Sequence, residues 1–493
     1  MNNLQSILAI LPVIIVVLTG MVVLLGDSCI PFWKRFSSLS GNVSLIGIFT
    51  AMSIAIERMV NEPIHVSAFH GALSIGSFSQ ACSVIILIMA ALAVLLALTY
   101  LENQRLNRGE YYALVLFSTS GAMLMSAAND LIVLFVAVEL LSVSLYVLTG
   151  FASTKKKSEE AALKYFLLGA FATGFLLYGI ALIYGGSYGV NSTDLIAIHR
   201  SLSNVASTMF ISGVGLLLCG LAFKAALVPF HMWSPDVYEG APTSVTAFMA
   251  AIVKVAAFAA LLRIFSALSP LYNIFLPVIE VLSILSMIVG NLYAVTQTNV
   301  KRLLAYSSVA HAGYLLIAVA AVGNPAAHDS ALRAAMFYFL AYGLTTIGSF
   351  GLLVYLSHKQ TDCETLDDIR GLAKSNPIAA AAMVIFMLSL GGIPPTIGFI
   401  GKWYLFTTAI QAHLLILAVV LALTSMIAVF YYLRVVWVIC FSDTDNSAAK
   451  PADSPAGAQG ALMVSSLLCV LGGIAPVIAQ PLMLAAQALS IKP

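Results

Sequence analysis

Four ionisable side chains stand near the middle of long apolar stretches of this sequence: Glu139, Lys224, Lys254 and Lys402. A charge at the centre of a membrane costs about 2.5–3.5 kcal/mol on insertion scales, so such residues usually serve an ion or proton pathway. A lysine suits proton transfer because, unlike arginine, it can release its proton in dry surroundings. A nearby carboxylate favours the charged form of the lysine. Moving that carboxylate or changing its charge would therefore make the lysine take up or release a proton. The pattern predicts proton transfer within the membrane, with a fixed structural ion pair as the alternative for Glu139.

Two further residues are candidates for the same pathway. Lys164, in SEEAALKYFLLG, is placed either to point inward toward Glu139 or to extend to the membrane surface. His311, in VKRLLAYSSVAHAGYLL, could join the hydroxyl side chains before it in a water chain between Lys254 and Lys402. A lone histidine in a helix is as often a structural residue, so both alternatives stay open.

Two of the charged stretches are interrupted by helix breakers. LLCGLAFKAALVPFHMWSPDVYEGAP, 217–242, carries Lys224 and then three prolines, and SLGGIPPTIGFIGKWYLF, 389–406, has paired glycines and prolines before Lys402. Proline removes a backbone donor, which a chain within a membrane tolerates only where it faces protein or water. Both segments therefore predict discontinuous transmembrane helices.

The composition identifies the class of protein and excludes several others. The chain has 493 residues, of which 61% are hydrophobic and only 9% charged, too few charges for the surface of a soluble protein. The net charge is only +2, so the sequence does not have the strongly basic character that is typical of nucleic-acid-binding proteins. The six cysteines are scattered without a C-x-x-C, and phosphate, dinucleotide and haem motifs are absent from the sequence. We therefore expect no cofactor or metal in this chain.

The apolar windows predict an all-α polytopic membrane protein with about fourteen transmembrane helices, because each window can cross a bilayer. They fall at residues 5–26, 39–59, 78–101, 110–128, 131–152, 160–184, 207–230, 242–265, 271–296, 302–323, 331–357, 378–409, 411–440 and 459–489. The first window is too long for a signal-peptide core and lacks a basic start, so it is expected to span the membrane.

The two interrupted helices are numbers 7 and 12 of this series, which indicates an internal repeat. Because five is odd, units made of helices 4–8 and 9–13 would be inverted relative to each other; two unrelated kinked helices are the alternative. The repeat divides the chain into helices 1–3 at 1–109, a first repeat at 110–265, a second repeat at 266–440 and a C-terminal helix 14 at 441–493.

Basic residues concentrate in the odd-numbered loops, which predicts that these loops are cytoplasmic. They are Lys34, Arg35, Arg105, Arg108, Lys155, Lys156, Lys157, Lys301, Arg302, Lys359, Arg370, Lys374 and Lys450. The even-numbered side holds mainly Arg200 and Arg333, with Arg58 and Arg263 at helix ends. An even number of helices then leaves both termini on the outer, periplasmic face.

Two other deep charges, Glu280 and Arg434, fit this scheme less clearly. Arg434 could pair with Asp443 or with an acidic group of a partner subunit, whereas Glu280 suggests no particular role.

Three segments resemble a known family: FKAALVPFHMWSPDVYEGAPTSVTAF, NVKRLLAYSSVAHAGYLL and LSLGGIPPTIGFIGKW. They are similar to the proton-conducting membrane subunits shared by respiratory complex I and Mrp-type cation/proton antiporters, and the length and the lone glutamate of helix 5 most resemble the complex I members. The resemblance implies fourteen helices, inverted five-helix repeats and a mid-membrane hydrophilic axis through Glu139, Lys224, Lys254 and Lys402. Lys164 matches a further family position. Ile252-Val253 departs from the small residue or proline expected before Lys254.

The resemblance also implies a proton channel within a larger NADH:quinone oxidoreductase of the bacterial inner membrane. NADH, flavin, iron–sulfur clusters and quinone would be bound by the complex, and electron transfer would take place in other subunits. The expected partners are other antiporter-like subunits, small membrane subunits and the lipid bilayer, with no nucleic acid.

Three alternatives remain. A subunit of a multi-subunit Mrp-type antiporter would use the same buried charges without redox coupling. A passive scaffold would tolerate neutral residues at Glu139 and Lys254. A stand-alone transporter of a small solute would need a substrate pocket, which the sequence does not indicate.

Overall fold

The computed structural model describes residues 3–30, 33, 38–61, 66–187, 192–202, 207–357, 362–442 and 456–489. Its long helices are α1 (Leu11–Cys29), α2 (Leu39–Asn61), α3 (Ser77–Asn103), α4 (Gly109–Ala127), α5 (Leu131–Thr149), α6 (Lys156–Gly186), α7a (Thr208–Ala225), α7b (Trp233–Gly240), α8 (Thr243–Ala267), α9 (Tyr272–Val295), α10 (Val300–Val322), α11 (His328–Leu356), α12a (Pro377–Gly391), α12b (Ile397–Gln411), α13 (Leu415–Phe441) and α14 (Ala456–Ile474). Short helices at Asn3–Ala9, Leu195–Ser201, Leu372–Ser375 and Gln480–Ala486 and four brief 3₁₀ turns complete the described helices. The predicted all-α membrane architecture is confirmed.

Twelve of the described helices are long and apolar enough to cross a membrane. The two remaining predicted windows hold α4, a helix of 19 residues, and the pair α12a and α12b, each of 15 residues. A count of fourteen crossings therefore stays a prediction.

The centre of the bundle consists of helices that are apolar on every face. Every residue of α8 is buried, and nearly all of α10 and α11 are, whereas well under half of the residues in the apolar windows of α1, α6, α9 and α13 are buried. A helix that is hydrophobic all round is typical of the interior of a large bundle. Lys254 and His311 lie on these central helices, so both are shielded from lipid.

Both predicted helix interruptions are confirmed, and they have the same local geometry. Helix α7a ends at Ala225 and is followed by Ala226 in the left-handed region (φ 56°), while α12a ends at Gly391 and is followed by Gly392 (φ 78°). At each end the next two amides bond back into the last turn in the Schellman pattern, which satisfies carbonyls that a broken helix leaves free. The chain can therefore stop a helix within the bundle.

The loops that follow α3, α5, α9 and α11 meet at one end of the molecule. Lys155 Nζ lies 3.2 Å from Gln104 Oε1 and 2.6 Å from Asp362 Oδ2, and Lys301 Nζ lies 3.3 Å from Glu364 Oε1. These odd-numbered loops therefore share one side, as the basic residues predict; which side is cytoplasmic stays a prediction. Lys34, Arg35, Lys359, Asp443 and Lys450 lie outside the described residues.

A small antiparallel hairpin, β1 (Val66–Ala68) and β2 (Leu73–Ile75), lies between α2 and α3. The carbonyl of Ala72 in its turn accepts from the amide of Asn129, 3.0 Å away, so the hairpin packs against the start of α5. The sequence did not predict this hairpin, because its two strands have only three residues each.

Candidate proton-transfer site

Lys224 lies in the last turn of α7a and is buried among hydroxyl groups. Its Nζ donates to Ser142 Oγ at 2.8 Å and to the Tyr165 hydroxyl at 3.1 Å. The ammonium also lies 5.2 Å from the centre of the Tyr165 ring, within the range of a cation–π interaction. Helices α5 and α6 thus supply the partners of this lysine from two sides.

Glu139 stands one turn before Ser142 on α5 and is half-buried. Its carboxylate acts electrostatically on Lys224. Its Oε1 is buried and has no hydrogen-bond partner among the described residues. Ser142, which binds Lys224, thus lies one turn along α5 from Glu139, and Glu139 keeps an acceptor oxygen available.

Lys254 reaches the end of the broken helix α7a from the central helix α8. Its Nζ lies 3.5 Å from the carbonyl oxygen of Ala225, donates to that of Ser308, and lies 5.7 Å from the centre of the Tyr342 ring. The carbonyl end of a helix carries a partial negative charge, which stabilises a cation there without a carboxylate. Lys254 is therefore anchored next to Lys224 along the backbone.

Lys402, on α12b, binds the end of the first half of its own broken helix, whereas Lys254 reaches α7a from the separate helix α8. Its Nζ donates to the carbonyl oxygen of Gly391 at 3.0 Å and lies 5.2 Å from the centre of the Tyr314 ring. Gly391 is the last residue of α12a, as Ala225 is the last residue of α7a. In both cases a buried lysine therefore binds the carbonyl that directly precedes the left-handed residue.

His311 lies between Lys254 and Lys402. The rings of Tyr342 and Tyr314, which lie beneath those two ammonium groups, contact the His311 ring with centroids 5.2 and 5.4 Å apart. Both lysines act on the imidazole electrostatically. The structure thus brings half-buried Glu139 and the buried residues Lys224, Lys254, His311 and Lys402 into one series.

The imidazole of His311 is held at both nitrogens by tyrosines. Its Nδ1 lies 2.7 Å from the Tyr338 hydroxyl, and its Nε2 lies 3.2 Å from the Tyr432 hydroxyl, which is also bonded to Ser307. Because a phenol can donate or accept, His311 can keep both bonds in either tautomer.

Lys164 lies apart from this series. Its Nζ forms ion pairs with Glu160 at 2.7 Å and with Asp236 of α7b at 2.9 Å, and its side chain is 42% exposed. Of the two predicted orientations the structure shows the outward one. Lys164 belongs to an ion-pair cluster at the end of the molecule where the odd-numbered loops meet.

The other members of this cluster are Arg302, Asp236, Glu239 and Lys157. Arg302 bridges Asp236 and Glu239 at 2.8 and 3.0 Å, and Lys157 pairs with Glu239 at 3.0 Å. Burial raises the pKa of each carboxyl, but the hydrogen bonds from Lys164 and Arg302 to Asp236, and from Lys157 and Arg302 to Glu239, outweigh it, so both pKa values lie below their ordinary range. The cluster ties α7b to α6 and α10.

Arg434 and Glu280, two further charged residues within the apolar helices, interact with residues outside this series. Arg434 donates to the carbonyl oxygen of Val295 at 2.7 Å and to that of Gln297, so it caps the carbonyl end of α9. Its predicted partner Asp443 lies outside the described residues. Glu280 is half-buried on α9 and acts electrostatically on Tyr272.

Sequence reasoning missed the hydroxyl partners of the charged residues. Ser142, Tyr165, Tyr338 and Tyr432 are all buried, yet they come from helices distant in sequence from the groups they bind. The only local signal is that Ser142 follows Glu139 by three residues, which puts both on one helix face. Within the described part of the chain, no group of three His, Cys, Asp or Glu residues could hold a metal ion.

Comparison with known proteins bears on this arrangement. The family described as "NADH:quinone oxidoreductase/Mrp antiporter, TM" matches residues 128–428. A protein named NADH-quinone oxidoreductase subunit N from Chloroflexus aggregans is 42% identical over 431 residues, covering 86% of each chain. Another of that name from Trichlorobacter lovleyi is 41% identical, covering 95% of this chain and 94% of its own. The chain belongs to the subunit N family of NADH-quinone oxidoreductases.

Solved structures agree with membership of the subunit N family. A chain of respiratory complex I from Thermus thermophilus aligns with a TM-score of 0.80 and 33% identity, covering 96% of this chain and 99% of its own. A chain of the Mrp complex from Dietzia sp. aligns with a TM-score of 0.82 at 22% identity, covering 99% of this chain and 97% of its own, and shows a shared fold. The resemblance predicted from three sequence segments is thus confirmed at the level of the family.

Proposed function

We propose that this chain is a proton-translocating membrane subunit of a bacterial NADH:quinone oxidoreductase. The observation that carries this proposal is the series Glu139, Lys224, Lys254, His311 and Lys402. Glu139 acts electrostatically on Lys224. Lys254 approaches the carbonyl of Ala225, the residue directly after Lys224. Lys254 and Lys402 both act electrostatically on His311. NADH oxidation, quinone reduction and the flavin and iron–sulfur chemistry would take place in other subunits. The membrane partners would be antiporter-like and small subunits in the bacterial inner membrane, with both termini of this chain periplasmic.

Proton movement along this series would begin with a change at Glu139. A negative carboxylate stabilises the ammonium of Lys224, and neutralising or moving that carboxylate would favour release of the lysine's proton. One of the two carbonyls that Lys254 approaches belongs to Ala225, directly after Lys224, so a proton on one lysine would raise the energy of a proton on the other. Such mutual repulsion would pass charge from Lys224 through Lys254 and His311 toward Lys402.

Water would complete the transfer steps between side chains. Beside Lys254, the buried Ser308 Oγ and Tyr342 hydroxyl have no hydrogen-bond partner among the described residues. An unsatisfied buried hydroxyl costs about 1–3 kcal/mol, so these groups would stabilise a bridging water. This supports a hydrated link between Lys254 and His311.

The proposed inverted repeat, helices 4–8 and 9–13, gains support from the two broken helices. The first half of each broken helix ends in the same cap, and a lysine approaches the carbonyl before the left-handed residue in each, Lys254 of α8 at Ala225 and Lys402 of α12b at Gly391. The tryptophans of the two segments differ, because Trp233 is buried while Trp403 is 52% exposed. The division at 110–265 and 266–440 rests on the shared lysine-bound cap.

The proposal is tested by removing the charges in the assembled complex. Lys224→Ala and Glu139→Ala should each lower NADH-driven proton uptake by inverted membrane vesicles by more than about tenfold, because each leaves a gap in the series. Lys156→Ala, at an exposed position, is the matched control. Normal pumping by Lys224→Ala, at wild-type complex content on a native gel, would overturn the assignment.

An Mrp-type antiporter subunit is the second candidate, and the shared fold is its support. The identity of 22% to the Mrp chain, against 42% to a subunit N relative, favours the first candidate. Purification through a tag on this chain decides between the two, because only an oxidoreductase brings flavin and iron–sulfur absorbance with it.

A further inference from the structure

The three lysines of the series differ in what their ammonium groups bind. Lys254 donates to the carbonyl oxygens of Ala225 and Ser308, and Lys402 donates to that of Gly391. Lys224 donates to two hydroxyls, those of Ser142 and Tyr165, and forms no ion pair with a carboxylate among the described residues. A carbonyl can only accept a hydrogen bond, whereas a hydroxyl can accept or donate.

This difference matters when a lysine loses its proton. A charged ammonium is donor-only, but a neutral amine has a lone pair that needs a donor. Beside a carbonyl that lone pair stays unsatisfied, and an unsatisfied buried polar atom is unfavourable. Beside a hydroxyl the O–H can rotate and donate to the amine, so the groups that already bind Lys224 can satisfy the lone pair of its neutral form.

Tyr165 is fixed so that only its hydroxyl hydrogen has to move. Its ring stacks on Trp233 with centroids 4.6 Å apart and an interplanar angle of 15°. The Trp233 indole donates to the carbonyl oxygen of Phe223 at 3.0 Å, the residue just before Lys224. The edge of Tyr146 packs on Tyr165 from the other side, at 4.9 Å and 86°. The ring is thereby held at a constant position relative to Lys224.

We propose that the Tyr165 hydroxyl assists proton release from Lys224 by stabilising both of its protonation states: it accepts a hydrogen bond from charged Lys224 and donates one to neutral Lys224. The proton released from Nζ passes to water, while Tyr165 keeps its own proton and only rotates it. Trp233 is then a positioning residue for Tyr165. This inference rests on the proposed function, because it assigns to Lys224 the step in which a proton leaves.

Other titratable groups face this pair and have to be considered in any pH dependence. They are Glu139 and Tyr146 of α5, Tyr238 of α7b and Lys254 of α8. Because all of them are retained in a Tyr165→Phe variant, a change in pH profile reports on the lost hydroxyl.

The test compares Tyr165→Phe with Tyr178→Phe, a matched control on the exposed face of the same helix. Proton pumping by the assembled complex is measured against pH in proteoliposomes. Tyr165→Phe keeps the ring on Trp233, and pumping per complex should fall about three- to tenfold. A bond to a charged group is about twice as strong as a neutral one, so the loss affects the ammonium more. The alkaline decline of pumping should therefore move to lower pH by about half a unit or more.

An unshifted profile, with pumping reduced only in proportion to the amount of complex, would overturn the inference. Should Tyr165→Phe fail to assemble, 3,5-difluorotyrosine at position 165 provides the same test with both ring and hydroxyl kept. Its hydroxyl is a weaker acceptor, so the decline should again move to lower pH, and an unchanged profile refutes the proposal. Loss of pumping in Lys224→Ala combined with normal Tyr165→Phe would remove this inference and leave the proposed function standing.

Discussion

At the scale of single residues, the buried lysines are stabilised by dipoles and hydroxyls more than by carboxylates. Lys254 and Lys402 bind carbonyls at the ends of broken helices, and Lys224 binds Ser142 and Tyr165. Since these partners are neutral, an ammonium is held without a permanent counter-charge. Each lysine can therefore respond to the charge state of its neighbours along the series.

Lys254→Arg separates charge from proton release. A guanidinium keeps a positive charge and can donate to the same carbonyls, but it does not give up its proton. We expect normal complex content and pumping lowered by more than about tenfold, measured by NADH-driven acidification of inverted vesicles. Lys301→Arg, at a buried lysine paired with Glu364, is the control. Pumping near the wild-type rate in Lys254→Arg would mean that Lys254 contributes only its charge.

At the scale of helices, the two caps that end α7a and α12a determine where the ammonium groups sit. Gly392 has a φ of 78°, and a Cβ added there would lie 2.8 Å from Lys402 Cδ. Ala226 occupies the corresponding left-handed position with a side chain already present. The two sites should therefore respond in opposite directions to exchange of alanine and glycine.

Gly392→Ala should displace Lys402 from the Gly391 carbonyl and strain the cap by about 1–2 kcal/mol. Proton pumping by the purified complex in proteoliposomes should fall about three- to tenfold, because a misplaced transfer group slows each step. Gly174→Ala, at a helical glycine whose added Cβ meets nothing within 4 Å, is the control. Unchanged pumping with Gly392→Ala would show that Lys402 does not depend on this contact.

Ala226→Gly should have the reverse effect on stability. Glycine adopts a positive φ without a steric penalty, so the free energy of unfolding of the complex should rise by up to about 1 kcal/mol. The measurement is the melting midpoint of the variant compared with that of the wild type. A lower midpoint would indicate that the methyl group of Ala226 packs favourably enough to outweigh its backbone conformation.

The breaks were predictable from proline and glycine, since these residues act on their own backbone. Two other features were not. The orientation of Lys164 depends on Asp236, more than 70 residues away. The hydroxyls around Lys224 come from α5 and α6. A sequence pattern shows that a charged residue is energetically unfavourable within its own apolar helix. Which side chains bind that residue depends on how the helices pack against one another.

At the scale of the whole molecule, the sequence predicted the architecture because an oily core forces every long apolar window into a helix. It did not predict which helices are central, because α8 and α13 are comparably apolar although only α8 is fully buried. Burial at that level follows from how helices surround each other. The ion-pair cluster at one end of the bundle is part of that arrangement.

Asp236→Asn tests this cluster, since Asp236 pairs with both Lys164 and Arg302. The carboxyl is 39% exposed, so the loss in stability should be about 1 kcal/mol or less, and smaller at high salt. Because the pKa of Asp236 is lowered, its contribution is complete above the ordinary value of 3.8 and is lost only as pH falls through the lower folded value. The melting difference from wild type should stay constant between about pH 6 and about pH 8. A difference that varies over this interval would implicate another group.

The position of Lys254 also constrains the order in which the bundle is assembled. Synthesis delivers α7a, with the Ala225 carbonyl, before α8, but the Ser308 carbonyl belongs to α10 and arrives some fifty residues later. When α8 is newly inserted, only one of the two carbonyls that bind the Lys254 amine, that of Ala225, is therefore already in place. The apolar faces of α8 are compatible with lipid, but Lys254 is not, and in the finished bundle every residue of α8 is buried against protein. Helices 7 to 10 should consequently leave the insertion machinery as a group, and a ribosome stalled after helix 8 should hold a segment that resists release into the membrane.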